Sequence, residues 1–454
     1  MQRRWLWRRV REIWSIGLLL GLLAPAISDA AELSPLATES GVVSLAPLQL
    51  SLRGAIDAAL GNNPNVRLYK ERIEAARGNV MTQLGAMLPN LSGSARQSQQ
   101  TTFLGTLGLA PVRTSEFSIF DGRVNYTQNL FSLSLIQRWR SSREALKVAE
   151  FESEGAKADA MSTVGLFYME ALKAQATIKM REANQQPFTD LLAFVKRRQG
   201  GGMGTGLDTA RLESQLENER QHFSIARSDF ERAKLNLLNA MGLPLDISLQ
   251  LTDDFRLSAE RFPSVEEAID VAIAQRPEVQ AQNLRIKSTA LAFSSTVGER
   301  LPALVAQGDY GFIGNRVHNT LDTYNVAVLL QIPIFDGGQR EGRIREARSQ
   351  LEQESIRMQG VTLQVKMDVR EALVTMAGAK DQLVIAQAGL KASLLELLLA
   401  RERFAVLTSN SSLEVTNALF SVSRARENAV DALFRLNASR VHLARAMGEL
   451  DRIN

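Results

Sequence analysis

A stretch near the start of the chain, Ala-Ile-Asp-Ala-Ala-Leu-Gly-Asn-Asn-Pro-Asn-Val at 55–66, decides the fold because it occurs twice. It returns as Ala-Ile-Asp-Val-Ala-Ile-Ala-Gln-Arg-Pro-Glu-Val at 268–279, a shift of 213 residues. The same shift carries Leu-Pro-Asn-Leu at 88–91 onto Leu-Pro-Ala-Leu at 301–304. A repeat that keeps its register between two separate landmarks indicates a tandem duplication.

The duplication fixes the expected domain organisation. Ala-Met-Gly ends both copies, at 240–242 and at 446–448. Between the copies lies a stretch with two prolines and no long periodic pattern, which indicates a linker. The predicted parts are a signal peptide (1–30), an N-terminal segment (31–51), the first repeat (52–242), the linker (243–264), the second repeat (265–448) and a tail (449–454).

Each repeat is predicted to contain a helix, two strands and a long helical hairpin. Between Pro64 and Pro89, apolar residues recur every three or four positions, which predicts a helix that proline ends. After each Leu-Pro motif the period changes to two, which is typical of strands with one apolar and one polar face. The strand pairs are expected at 92–131 and 303–333, and polar loops near 104–116 and 313–322 join them.

The hairpins are expected to be long. No proline occurs from Phe335 to the end of the chain, so the helices there can run without interruption. Their apolar residues follow a spacing of about 3.5, as in coiled coils. A helix of about 65 residues would be roughly 100 Å long. The hairpin tips are predicted at 200–207 and 406–413. The resulting fold class is mainly α with a small β part, in an elongated body.

The first thirty residues have the pattern of a secretory signal peptide, with five arginines, a short apolar stretch and small residues before a cleavage site after Ala30. An uncleaved N-terminal anchor is the alternative. Removing these residues lowers the formal net charge from +4 to +1, which takes away the argument for nucleic-acid binding. No later segment has eighteen uncharged apolar residues in a row, so no helical membrane span is expected after the signal.

The sequence lacks the residues that several kinds of covalent, metal-binding and catalytic site require. The chain has no cysteine, which excludes disulfides, thiolate metal sites and an acylated N-terminal cysteine. Its three histidines are scattered, and no nucleotide motif or catalytic set is apparent. We therefore expect no cofactor, no metal site and no enzymatic activity.

The strands predict an assembly of several chains. Four amphipathic strands of about ten residues cannot close a membrane barrel, because the smallest closed barrels need about eight. Two chains would supply eight strands and three would supply twelve, and only the larger barrel leaves an open lumen. We therefore predict a trimer with a 12-stranded barrel. The helices would continue from it as a tube, and the natural function of such a tube is passage.

These residues resemble the TolC-like outer-membrane efflux proteins of Gram-negative bacteria over about 50–449. Besides the repeated motifs, the resemblance rests on Gln-Ile-Pro-Ile-Phe-Asp-Gly-Gly at 331–338 and Gly-Thr-Gly-Leu-Asp at 204–208. It implies a homotrimer in outer-membrane lipid, with most of the chain forming an α-helical tunnel in the periplasm. It also implies docking on a periplasmic adaptor and an inner-membrane transporter, in drug efflux, metal efflux or protein secretion.

The resemblance also implies roles for the hairpin tips. It assigns adaptor docking to Gly204, Thr205, Gly206, Leu207, Ser411, Ser412 and Leu413, and the periplasmic entrance to Asp208, Glu414 and Asn417. The family pattern has a second acidic residue where this chain has Asn417, so the expected acidic ring is weaker here. An ordinary first-turn helix charge is the alternative role of Asp208 and Glu414.

One other class of protein shares the long hairpins and the signal peptide, namely a periplasmic coiled-coil adaptor or scaffold. The alternating strands distinguish the two, because a scaffold has no need of two strand pairs at equivalent places in a duplication. The prediction is therefore an outer-membrane channel, and the scaffold is the alternative.

Overall fold

A computed structural model describes residues 48–108, 110–202, 205–255, 263–406 and 412–450. The expected signal peptide and nearly all of the N-terminal segment lie outside the described residues, as does most of the second tip.

The first repeat contains a helix broken once by proline, two strands and a hairpin of long helices. A short strand, β1 (Leu48–Leu50), precedes it. Its elements are α1 (Leu52–Asn62), α2 (Pro64–Gly85), β2 (Asn90–Gln100), β3 (Phe117–Phe131), α3 (Leu133–Gly200) and α4 (Gly206–Met241).

The second repeat has the same order of elements after another short strand, β4 (Leu249–Leu251). Its elements are α5 (Val265–Gln275), α6 (Pro277–Gly298), β5 (Ala303–Arg316), β6 (Asn319–Gln331), α7 (Gln339–Val406) and α8 (Leu413–Met447). Both α3 and α7 have 68 residues, so each is roughly 100 Å long at about 1.5 Å per residue.

The motif at 55–66 explains the break between α1 and α2. Pro64 occupies the first turn of α2, where its missing N–H costs nothing, and it prevents α1 from continuing. The side-chain oxygen of Asn63 accepts a hydrogen bond from the backbone N–H of Asn65 at 2.9 Å, and its amide donates to the carbonyl of Ala240 at 2.8 Å. The break therefore also holds the end of α4.

The long helices lie side by side in a fixed order. In the half that contains the tips, α3 packs on α4 and α8, and α8 packs on α7, which gives the row α4-α3-α8-α7. In the half next to the strands, α3 packs on α2 and α6, and α6 packs on α7, which gives the row α2-α3-α6-α7. Helix α3 is thus an inner member of both rows, and α7 is the last member of both.

The strands form an antiparallel sheet in the order β2-β3-β5-β6. One face carries exposed apolar side chains, with Tyr310 directly opposite both Val124 and Tyr324, and Val326 two residues further along β6. The other face carries polar side chains, including Asn125, Asp309 and Asn325, which lie opposite one another on three strands. The predicted alternation of apolar and polar faces is therefore present.

The loop predicted at 313–322 is wrong. Strands β5 and β6 extend into it, and only Val317 and His318 remain between them. The backbone pairs Gly314 with Thr320, and a Cβ at Gly314 would lie 1.9 Å from the carbonyl oxygen of Asn319. Because glycine and polar residues fill this part of the ladder, the sequence pattern there is typical of a loop although the backbone is paired.

The linker contributes to a core beside the proline break. Strand β1 pairs in parallel with β4, and both contribute leucines to a buried cluster with α1, α3 and α4. The hydroxyl of Tyr168 on α3 lies 2.9 Å from both the carbonyl oxygen of Leu50 and Oδ2 of Asp253, and these two acceptors share its one proton. Burial, followed by the contact with Asp253, raises the pKa of this hydroxyl well above its usual range.

An ion-pair network joins the repeats at the equivalent break in the second copy. Arg445 on α8 contacts Glu278 on α6 and Asp159 on α3, and Arg276 donates to Asp368 on α7 at 2.7 Å. Burial works to raise the pKa of Glu278, but the hydrogen bond and charge of Arg445 outweigh it, so this pKa lies below its ordinary value.

Helix α7 also contains an 18-residue window that is long and apolar enough to cross a membrane by length and composition, within Gln339–Phe404, and only 17% of it is buried. The sequence criterion of eighteen uncharged residues in a row does not detect this window. The finding shows that α7 presents an apolar face that the rest of the described chain leaves largely uncovered.

The close approach at the proline break gives a test of this packing. Gly242 has φ +74°, and a Cβ there would lie 2.6 Å from the carbonyl oxygen of Asn62. Gly337 has a similar φ of +68° but nothing within 4 Å of its Cβ position. Both Gly242→Ala and Gly337→Ala add left-handed strain of roughly 1–2 kcal/mol, but only Gly242→Ala adds a clash. We expect a clearly larger fall in thermal unfolding temperature, followed by circular dichroism in detergent, for Gly242→Ala. Equal losses would show that the contact is not close.

Candidate functional site

The first tip is held by a threonine cap. Thr205 precedes α4, and its hydroxyl accepts a hydrogen bond from the backbone N–H of Asp208 at 3.2 Å. The same hydroxyl donates to Oδ2 of Asp208 at 2.6 Å. Thr205 and Asp208 thus form a reciprocal arrangement like the capping box, and the carboxylate lies in the first helical turn, where the helix dipole favours it.

Asp208 also connects the two hairpins. Its Oδ1 accepts a hydrogen bond from the hydroxyl of Ser412 at 3.0 Å, and Ser412 is the residue before α8. Arg211 approaches the same oxygen at 3.9 Å. The sequence suggested either an entrance acid or a plain helix charge for Asp208, and the structure shows it as the contact point of both tips.

Glu414 lies in the first turn of α8, and Arg403 near the end of α7 approaches it with Nη1 3.4 Å from Oε1. Both side chains are largely exposed. Asn417, one turn further along α8, is also exposed. Two of the three predicted entrance residues, Glu414 and Asn417, thus share one exposed side of α8, but the carboxylate of Glu414 has the guanidinium of Arg403 beside it.

The predicted docking residues differ in exposure. Leu207 is 67% exposed, and Leu413 and Gly206 are also exposed. Ser412 is 2% exposed, because its hydroxyl is directed to Asp208, so it does not lie on a docking surface of the single chain. Gly204 and Ser411 lie outside the described residues.

An apolar cluster lies next to the tips and contains residues of both hairpins. Phe188 on α3 packs against Phe420 on α8 with ring centroids 5.6 Å apart, and Phe194 on α3 packs against Phe404 on α7 at the same distance. The buried members of this cluster come from all four long helices. Because the cluster spans the hairpins, the position of each tip depends on the packing of the other.

A buried polar layer lies next to the apolar cluster, on the side away from the tips. Arg181 on α3 donates to Glu427 on α8 at 2.8 Å and lies 3.9 Å from Glu219 on α4. Asn184 on α3 donates to Ser423 on α8 at 2.7 Å, and Ser423 donates to Glu219 at 3.4 Å. Sequence analysis missed this layer, and no local signal could have found it, because its members lie on separate helices. In the described part of the chain, no group of three or more potential metal ligands is placed to hold an ion.

The geometry thus shows paired strands with an apolar and a polar face, connected to duplicated hairpins whose tips meet. The model of the family described as "Outer membrane efflux protein" matches residues 55–243 and 268–449, which are the two repeats. The chain belongs to this family.

Individual outer membrane efflux proteins are similar along most of the chain. The outer membrane efflux protein BepC of Brucella suis is 23% identical over 78% of this chain and 75% of its own. The alkaline protease secretion protein AprF of Pseudomonas aeruginosa is 22% identical over 67% of this chain and 65% of its own. The crystal structure of the Campylobacter jejuni CmeC outer membrane channel matches with a TM-score of 0.78 at 18% identity, covering 88% of this chain and 85% of that one.

Family membership decides between the two classes considered from the sequence. The relatives are outer-membrane channels of efflux and secretion systems, so the chain is an outer-membrane channel protein of Gram-negative bacteria with a large periplasmic part. The periplasmic scaffold is not supported. The relatives are transport channels.

The Asp208–Ser412 contact gives a prediction for the tips. Ser412→Ala removes a hydrogen bond to a carboxylate, worth about 1.5 kcal/mol, so opening of the first turn of α8 should become on the order of tenfold more frequent. Hydrogen exchange at the backbone amide of Thr416, which bonds to the carbonyl of Ser412 at 2.9 Å, measures this opening.

The matched control is Thr209→Ala, which removes the 2.6 Å hydrogen bond from Thr209 to Gln199 within the first hairpin alone. It should leave exchange at Thr416 unchanged. If both variants raise exchange equally, or neither does, the contact between the hairpins does not hold the tips.

Proposed function

We propose that three copies of this chain close into a ring that forms a passive duct through the outer membrane and across part of the periplasm. The observation that carries this proposal is that, in the part of the chain that the structure describes, the sheet and both helical rows each have two open edges at corresponding ends. The sheet ends in β2 and β6, and the two helical rows end in α2 or α4 on one side and in α7 on the other.

Closure satisfies the edges of the sheet. Among the described residues, strands β2 and β6 each pair on one side only. An open strand edge facing lipid leaves backbone N–H and C=O groups without partners, which costs several kcal/mol per group. Because the four strands alternate in direction, β6 of one copy runs antiparallel to β2 of the next, so the ladder continues without a mismatch.

Closure also covers the exposed helices. In the half with the tips, α4 and α7 run in opposite directions along the row, so α7 of one copy would lie antiparallel to α4 of its neighbour, like every other pair in the row. The weakly buried apolar window of α7 would be covered by this contact. A heterologous contact of this kind closes into a ring when its rotation allows. Three copies supply twelve strands, enough for an open lumen.

The two faces of the sheet orient the ring in the membrane. Side chains such as Tyr324 and Val326, the latter 79% exposed, would face lipid, and the polar face with Asn125 and Asn325 would line the lumen. Exposed Ile334 and Phe335 follow β6 and would lie at the membrane boundary on the periplasmic side.

The tips would face the periplasm and receive the partner proteins. Exposed Leu207 and Leu413, with Thr205 and Gly206, are the described residues that we assign to docking of a periplasmic adaptor, which connects the duct to an inner-membrane transporter. Gly204 and Ser411 belong to the same proposal from the family resemblance. The relatives BepC and AprF are named for efflux and for protease secretion respectively, which supports a duct whose cargo is chosen by its partners.

The duct is tested by conductance of the purified protein in planar bilayers, with subunit counting by cross-linking. We expect stable conductance steps from a trimer. Because the chain has no cysteine, single cysteines can be placed on adjacent residues of β6 without background. A charged, water-soluble thiol reagent should reduce conductance of Asn325→Cys and leave Val326→Cys unchanged, because their side chains lie on opposite faces.

Equal sensitivity of the two cysteine variants would contradict the assignment of the faces. A protein that never inserts into bilayers would contradict the duct itself.

The pair of Arg403 and Glu414 gives a prediction for the entrance. Because the two charges of this pair compensate each other, Glu414→Gln should leave three uncompensated arginines in the ring and lower the ratio of potassium to chloride permeability. Arg403→Gln should leave three uncompensated carboxylates in the ring and raise that ratio. Arg401→Gln on the same helix removes the same charge and is the control. No effect of Glu414→Gln, or equal effects of the two arginine variants, would show that the pair does not govern the entrance.

A further inference from the structure

A cluster of charged side chains lies on the polar face of the sheet. Nε of Arg123 on β3 donates to Oδ1 of Asp121 at 2.7 Å, and its Nη1 donates to Oδ1 of Asp309 on β5 at 2.9 Å. The three side chains are only 21–30% exposed even in the single chain. One arginine thus occupies two carboxylates, each by a charge-assisted hydrogen bond.

The polar face of the sheet lacks a side chain at the point where Arg123 extends from β3 over β5. The residue opposite Arg123 in the ladder is Gly311, and a Cβ there would lie 2.3 Å from Cβ of Arg123 and 2.5 Å from the carbonyl oxygen of Gly122. Asp309 lies two residues away from Gly311 on the same face of β5. The absence of a side chain at 311 therefore lets Arg123 lie against the sheet and reach Asp309.

We propose that Arg123 sets the ion preference of the barrel lumen. The inference rests on the duct proposed above, which places this face around the lumen. In the ring, three copies of Arg123 would hold six carboxylates in ion pairs, so that these carboxylates do not bind passing cations. The same contacts hold the arginine against the wall and keep its charge from attracting anions as a free side chain would.

The proposed effect depends on where Arg123 lies as well as on its charge. Arg96 has the same charge without these contacts and is the matched control. Arg96 lies on the same face of β2, opposite Asp121, and its side chain is exposed. Arg123→Gln and Arg96→Gln remove the same charge, but only Arg123→Gln breaks both hydrogen bonds. Gly311→Ala changes no charge and displaces Arg123.

The experiment measures the reversal potential of single channels across a potassium chloride gradient, with and without millimolar Mg²⁺. We expect Arg123→Gln to raise cation preference by about twofold or more over the unmodified channel, since a wall of one sign concentrates counter-ions. Mg²⁺ should reduce its conductance and leave Arg96→Gln unaffected. Gly311→Ala should shift the reversal potential without any change of charge, and Arg123→Lys should fall between the unmodified channel and Arg123→Gln, because lysine has the charge without the forked donors.

Equal shifts in Arg123→Gln and Arg96→Gln, with Gly311→Ala like the unmodified channel, would overturn the proposal and show that net charge alone matters. Insertion frequency and trimer yield identify variants that fail to assemble, and for those the Arg123→Lys channel provides the comparison. If the unmodified protein forms no channel, the proposed duct fails, which is distinct from an open channel whose selectivity ignores Arg123.

Discussion

The backbone hydrogen bonds of the two edge strands are the constraint on which the rest of the structure depends. A four-stranded sheet with an apolar face belongs in lipid, but lipid offers no partner to the free N–H and C=O groups of β2 and β6. In the proposed ring, the edges of the other copies supply these partners. Once the sheet closes in this way, the helices that leave it inherit the same cyclic order, because α3 and α7 each continue directly from the last strand of a pair. The proposed duct therefore follows from the sheet edges.

The duplication supplies the even number of strands and the alternating directions that such a closure needs. Each repeat contributes one strand pair and one helical hairpin, so the two halves of the chain have the same order of elements. The side chains by which the two hairpins contact each other are not repeated. Asp208 on the first hairpin contacts Ser412 on the second, and below them Arg181 joins Glu427, so each chain fixes the relative position of its own two hairpins before any neighbour is present.

The sequence predicts the parts of this fold that repeat and misses the parts that do not. The long helices, the strand pairs and the tips follow from local periodicity, proline and the internal repeat. The strand extension at Gly314 was missed because glycine is common in loops, and the sequence alone does not show that this glycine allows two strands to pair closely. The burial of Ser412 and the polar layer at Arg181 depend on side chains about two hundred residues apart, and a local pattern carries no information on such contacts.

Two groups of charges near the proposed passage have a common feature, which is that their partners lie within the same chain. Arg403 lies beside Glu414 at the tip, and Arg123 lies between Asp121 and Asp309 on the sheet. The Arg403–Glu414 pair is neutral, and Arg123 offsets one of its two carboxylates, so each pairing lowers the net charge that acts at a distance. A duct lined in this way would prefer charged cargo less strongly than one lined with unpaired carboxylates. That property suits a channel component whose relatives are named for efflux and for protease secretion, because selection then belongs to the proposed transporter partner.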